Sequence, residues 1–141
     1  MKYTFLVLMI LFAALITGCS SSGNPGDKSP LTGTEWVLFE MDGEMFVPAS
    51  GKNVTLRLDS DKKSVNGKAP CNTYGGPYTK SSNKISFGEL YATEMACDEL
   101  DKETIYFSQM RKVYAYQISG DKLYLFDSGG MVILRYKAKQ D

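Results

Sequence analysis

Residues 67–97 constrain the fold of this chain more than any other stretch. They read Gly67-Lys68-Ala69-Pro70-Cys71-Asn72-Thr73-Tyr74-Gly75-Gly76-Pro77-Tyr78, then a hairpin-sized segment, then Thr93-Glu94-Met95-Ala96-Cys97. Gly75, Gly76, Pro70 and Pro77 make the first part a shaped turn rather than a strand or helix. Pro70 holds Ala69 extended and has no N–H for a ladder. Asn72 can bond its own backbone two residues on and stabilise the turn. The two cysteines bracket the hairpin and read as a disulfide joining the turn to the start of a helix, worth roughly 3 kcal/mol in the chain-entropy model. Two free thiols or a two-ligand metal site are the alternatives. The chain has no histidine, so a metal site has few soft ligands left.

The first of the three cysteines belongs to a different signal. Met1-Lys2-Tyr3 precedes an apolar run from Thr4 to Ile16, and Thr17-Gly18-Cys19 follows. One positive charge, a short apolar core and small residues at its end read as a secretory signal peptide over residues 1–18. The run falls short of the ~20 residues that span a bilayer. Ile16-Thr17-Gly18-Cys19 resembles a bacterial lipobox, which implies cleavage before Cys19 and acylation of that residue. Residues 19–30 are then a lipidated tether, rich in serine, glycine and proline, with a reach of roughly 18 Å. Residues 31–141 form one domain. Ser20 after the cysteine favours the outer membrane by the sorting habit of such lipoproteins. Cys71 and Cys97 remain as an even pair in an oxidising compartment.

The 141-residue chain carries 16 basic and 16 acidic side chains. Removal of residues 1–18 takes away Lys2 and leaves 15 basic against 16 acidic, a balance of −1. That balance offers no case for nucleic acid or for a basic membrane-binding face.

Within the domain, residues 34–40 read as a strand, Asp42-Gly43 as a hairpin turn and 44–47 as the return. Residues 54–58 alternate, which turns Val54, Leu56 and Leu58 to the core. Residues 59–63 form a polar turn before a return strand at 64–67. Residues 78–80 and 84–87 form another hairpin. Asp98 is the expected N-cap of a helix over 99–112, with acids in its first turn and Arg111 and Lys112 in its last. Leu100, Phe107, Met110 and Tyr114 share one side of it with Glu103. Three strands, 114–118, 123–126 and 132–136, close the chain. The expected fold is α+β: a small, curled antiparallel sheet of about eight short strands, cracked-barrel-like, with one helix packed against it.

Candidate chemistry is sparse. Without histidine there is no Ser-His or Cys-His pair. Asp98, Glu99, Asp101 and Glu103 could hold a cation or do acid–base work, but helix capping and a solvated face explain them better. Asp59-Ser60-Asp61 opens like a calcium loop, yet Lys63 takes the next ligand position and a turn is the better reading. Tyrosines and phenylalanines on strands read as core and cross-strand pairs.

Taken together the residues resemble the META-domain family, which includes the HslJ-like heat-shock lipoproteins. The matching pieces are Leu31-Thr32-Gly33-Thr34-Glu35-Trp36, Gly67, Cys71-Asn72, Gly76-Pro77-Tyr78, Thr93-Glu94-Met95-Ala96-Cys97, the helix with Glu103 and Phe107, and Leu123-Tyr124-Leu125. They span nearly all of residues 31–137. Pro70 stands where the family more often has a small residue. The resemblance implies an exported, often lipid-anchored protein linked to heat response or antibiotic tolerance, similar in fold to secretion-system pilotins. It implies no catalytic residues and no cofactor. Trp36, Gly67, Asn72, Gly76, Tyr78, Thr93, Glu103 and Phe107 read as structural. The expected role is non-catalytic: membrane attachment through acyl chains on Cys19, and binding of an apolar ligand or an envelope protein between helix and sheet. A carboxylate-based envelope hydrolase is the alternative, and it needs two carboxylates converging in a cleft.

Overall fold

The computed structural model describes residues 28–140. The signal peptide, Cys19 and most of the expected tether lie outside the described residues. Ten strands and one helix follow in the order β1 (Trp36–Met41), β2 (Glu44–Met45), β3 (Thr55–Asp59), β4 (Ser64–Lys68), β5 (Thr73–Ser81), β6 (Lys84–Phe87), β7 (Tyr91–Ala92), α1 (Leu100–Lys112), β8 (Ala115–Ser119), β9 (Lys122–Phe126) and β10 (Val132–Ala138). All pairings are antiparallel. The path β10-β9-β8-β6-β5-β4-β3-β1 returns to its start because β1 also pairs with β10, so the sheet curls into a ring. β2 hangs on β1, and β7 pairs with β5.

Local chemistry makes most of these links. Asp42 and Gly43 both have positive φ, 54° and 82°, the backbone that a two-residue hairpin turn requires. The Val54, Leu56 and Leu58 side chains are buried as the alternation requires. β10 breaks its alternation for a specific reason. The register shifts between Val132 and Leu134, and this bulge lets Ile133 and Leu134 both enter the core.

Residues 73–76 are strand, not turn, which corrects the expectation from their glycines. The turn is confined to residues 69–72, closed by the Ala69 N–H donating to the Asn72 carbonyl at 2.7 Å. The glycines serve close approach instead. At Gly67 a Cβ would overlap the Thr55 carbonyl, and at Gly76 it would meet the Glu89 carbonyl oxygen and Leu90 Cδ2, both at 2.8 Å. A glycine inside a strand often marks such a site.

The ring is thinnest between β6 and β8, which share the single pair Lys84–Ala115, flanked by bonds from the Ile85 N–H to the Tyr114 carbonyl and the Tyr116 N–H to the Asn83 carbonyl. α1 packs against β6 and sends Tyr106 and Met110, both 0% exposed, into the core. The buried helix side is therefore Glu103, Tyr106, Gln109 and Met110. Leu100 and Tyr114 are 45% and 44% exposed, and Phe107 is partly buried against the core. Of the expected packed side, Glu103 and Met110 are buried and Phe107 packs partly against the core, whereas Leu100 and Tyr114 are exposed. Tyr106 took the inward place because its hydroxyl finds partners there.

Asp98 does not cap the helix. The cap position is Glu99, without a side-chain capping bond, because its carboxylate is engaged elsewhere. Val113 ends the helix in extended geometry with its N–H on the Met110 carbonyl.

Candidate functional site

Part of the set that carries the family resemblance, Cys71, Asn72, Thr93, Cys97 and Glu103, converges on one place, the junction of α1 with the 69–72 turn and the 93–97 segment. Glu103 is 6% exposed. Its Oε2 accepts the backbone N–H groups of Cys71 at 2.8 Å and Asn72 at 2.7 Å, and its Oε1 accepts the Asn72 side-chain amide at 2.7 Å. The other end of that amide, Asn72 Oδ1, accepts the Met95 N–H at 2.7 Å and the Thr93 hydroxyl at 2.9 Å. Thr93 Oγ1 in turn accepts the Thr73 N–H at 3.2 Å. A disulfide joins Cys71 to Cys97 beside this network, across Cα atoms 6.0 Å apart. A carboxylate that takes three charge-assisted bonds holds its site tightly. The arrangement is a clamp of helix to turn to segment, with every polar atom of Asn72 used.

Glu99, 5% exposed, makes a second clamp one turn earlier. Its oxygens accept the Ala49 N–H at 2.9 Å and the Ser50 N–H at 3.4 Å, and Lys102 Nζ stands 3.2 Å from Oε1. The Ala49 N–H first, with help from Lys102 and the Ser50 N–H, holds the Glu99 carboxyl below its ordinary value against the opposing effect of burial. The two carboxylates thus bind two different loops. Asp98 and Asp101 are exposed. Among the described residues no three Asp, Glu, Cys or His side chains group as metal ligands would. Asp59 closes its own turn, with Oδ1 accepting the Asp61 and Lys62 N–H groups at 2.9 and 3.0 Å.

A line of tyrosines crosses the core beneath α1, and reading the aromatics as plain core missed it. The Tyr74 hydroxyl donates to the Thr55 carbonyl at 3.0 Å, Tyr74 and Tyr106 hydroxyls lie 2.9 Å apart, and Tyr106 and Tyr136 hydroxyls 3.1 Å apart. Each phenol has one proton. Because Tyr74 gives its proton to Thr55, Tyr106 donates to Tyr74 and Tyr136 donates to Tyr106, so the chain has one direction. Burial pushes all three phenols well above their ordinary value of 10.0, and they are neutral at physiological pH. The absent side chain at Gly67 admits Thr55 and the Tyr74 ring to this site. Trp36, 0% exposed, donates Nε1–H to the Leu31 carbonyl at 3.0 Å and ties the start of the domain to the core. Tyr78 is buried in the same core.

These side chains occupy the space between helix and sheet where the sequence reading puts a ligand. A groove of about 320 Å³ opens instead at the surface. It lies where β6 and β7 face the edge of α1, lined by Gly88, Glu89, Leu90, Ala92, Phe107 and Arg111. The Phe107 ring forms one wall, held edge-on against Tyr74 at 5.6 Å between centroids.

Three comparisons bear on this chain. No curated protein matches its sequence significantly. A protein from Burkholderia xenovorans, solved by NMR, is similar at 27% identity and TM-score 0.62, over 79% of this chain and 85% of that one. A DUF4847-family protein from Bacteroides vulgatus shares the fold, with 13% identity and TM-score 0.59 over 79% of this chain and 96% of that one. The META-domain family model matches residues 29–140, and with Trp36, Gly67, Asn72, Thr93 and Glu103 all in structural roles, the chain belongs to the META-domain family.

Proposed function

We propose that this is a non-catalytic, lipid-anchored protein of the bacterial cell envelope, held at the outer membrane by acyl chains on Cys19 and facing the periplasm. In this reading it serves a stress response, to heat or an antibiotic, by binding an apolar ligand or an apolar segment of an envelope protein. The observation that carries the binding role is the groove of about 320 Å³ between α1 and residues 88–92, at the lower end of the size of ligand sites. Leu90, Ala92 and the Phe107 ring supply its apolar surface. The clamp carboxylates are saturated by backbone donors, which leaves them ill-suited to acid–base work.

Titration of residues 28–140 with a fluorescent fatty-acid analogue tests the binding role. Saturable binding is expected, and Ala92→Trp, an exposed position on the groove wall, should abolish it. No binding by the parent domain, or equal binding by the variant, contradicts the groove. Anchoring is tested by fractionation, in which Cys19→Ser should move the protein from membrane to soluble fraction.

A further inference from the structure

The β5–β6 turn, the last turn of α1 and the start of β8 meet at one corner of the ring. Tyr116 reaches the turn with its hydroxyl donating to the Ser82 carbonyl at 3.3 Å. Lys80 Nζ stands 5.6 Å from the centre of the Tyr116 ring, and Lys84 Nζ 5.1 Å from that of Tyr114. Arg111 and Lys112 end the helix just before Tyr114. All four cations are exposed, and among the described residues none of them forms an ion pair. No Asp or Glu occurs in residues 78–88 or 104–120.

The acids nearest this corner are committed to other work. Asp59, close to Tyr78, holds its own turn, and Asp42 accepts the Gln109 side-chain N–H at 2.6 Å, the same amide whose oxygen takes the Lys112 ammonium at 3.5 Å. Asp127, beside Phe126, accepts the Met131 N–H at 2.9 Å. Glu89 faces Arg111 across the groove. The helix region's other acids, Glu94, Asp98, Glu99, Asp101 and Glu103, cluster near its opposite end. An almost neutral chain is thus polarised, and the overall charge balance conceals a basic face.

We propose that this corner rests on an anionic phospholipid surface, with Lys80, Lys84, Arg111 and Lys112 against the phosphates and the half-exposed Tyr114 ring at headgroup level. A discrete anion needs donors around one enclosed point. Lys80, Lys84 and Lys112 instead stand exposed on the ends of separate elements, an arrangement that meets an extended charged plane. Long cationic stems and tyrosine rings suit the membrane interface. Lys80, Lys84 and Lys112 lie outside the groove, whose lining includes Arg111, and the inference does not depend on the acyl anchor.

Residues 28–140 contain the whole ring, the helix and the disulfide, and the similar region makes up 85% of the Burkholderia chain solved by NMR, so the domain is tested alone. It is sedimented with vesicles of phosphatidylcholine, with and without phosphatidylglycerol. Binding should require phosphatidylglycerol and be lost near ~1 M salt, where the screening length falls to about 3 Å. The triple variant K80Q/K84Q/K112Q should bind about 100-fold more weakly, roughly fivefold per cation, with an unchanged melting temperature. A control pair at the far end of β9 and β10, K122Q/K137Q, should bind as the parent does. Equal partition with and without phosphatidylglycerol overturns the proposal, as does parent-like binding by the triple variant. Binding to heparin or nucleic acid without binding to vesicles also overturns it, by assigning the corner to a soluble polyanion.

Discussion

Glu99 at the cap of α1 and Glu103 one turn into it each take two backbone N–H groups from a loop that a proline shapes. Glu99 holds Ala49 and Ser50 after Pro48, and Glu103 holds Cys71 and Asn72 after Pro70. Their support differs. Glu103 has the Asn72 amide as a third donor and a disulfide beside it. Glu99 has one Lys102 ammonium, 45% exposed, that also reaches the Val47 carbonyl at 3.5 Å. The two carboxylates are about equally buried, at 5% and 6% exposure, yet one is a cross-linked keystone and the other a latch with fewer supports. Residue type therefore says little about a carboxylate's role until its donors are known.

The contrast can be broken in order of effect. Glu103→Ala leaves the Cys71 and Asn72 N–H groups unpaired and the Asn72 amide with only the Met95 carbonyl at 3.4 Å, and should cost about 3–5 kcal/mol, measured by denaturant unfolding. Loss below about 1 kcal/mol would mean that water replaces the carboxylate freely. Cys71→Ser, which opens a loop of sequence separation 26, should cost about 3 kcal/mol, and reductant should have no further effect on that variant. Tyr106→Phe interrupts the hydroxyl line, leaving the Tyr136 proton to the poorer Met110 sulfur at 3.8 Å, and should cost about 1–2 kcal/mol.

Glu99→Ala should cost the least, about 1 kcal/mol, and its effect should depend on pH. The Glu99 carboxyl is lowered in the folded protein, so its contribution is complete above the ordinary carboxylate range. It is lost as pH falls through the folded value. The parent should lose more stability between neutral and acidic pH than the variant does. The tyrosines set the opposite limit. Their raised values mean that unfolded phenols ionise first, so stability is complete below pH 10.0 and falls above it.

How much of this was legible depends on the range of the interaction. The Asp42-Gly43 turn, the alternation at 54–58 and the helix are encoded within a few residues and are readable, and the disulfide is readable from an even pair of cysteines despite a separation of 26. The helix cap was misread because Asp98 is locally suitable, whereas Glu99 is held by a loop 50 residues away. The first half of β5, residues 73–76, reads as turn because Gly75 and Gly76 signal flexibility locally but serve packing against residues 89–91, whereas the expected hairpin of 78–80 with 84–87 is present. The tyrosine line joins residues from β5, α1 and β10, so no local pattern announces it. The clamp was legible only as a set of family residues. Asn72, Thr93 and Glu103 stood in the resemblance without a reason, and the geometry supplies one. The basic corner was hidden by a charge balance that averages over the chain.

The central claim is that the residues shared with the family build a structural clamp rather than a reactive centre. A double-mutant cycle of Asn72→Ala and Glu103→Ala, read as unfolding free energy, tests it most directly. Coupling of about 1–3 kcal/mol is expected for two members of one buried network. Additive effects within about 0.5 kcal/mol would contradict the account, because the two residues would then act independently and the clamp would not be the unit that holds helix to turn.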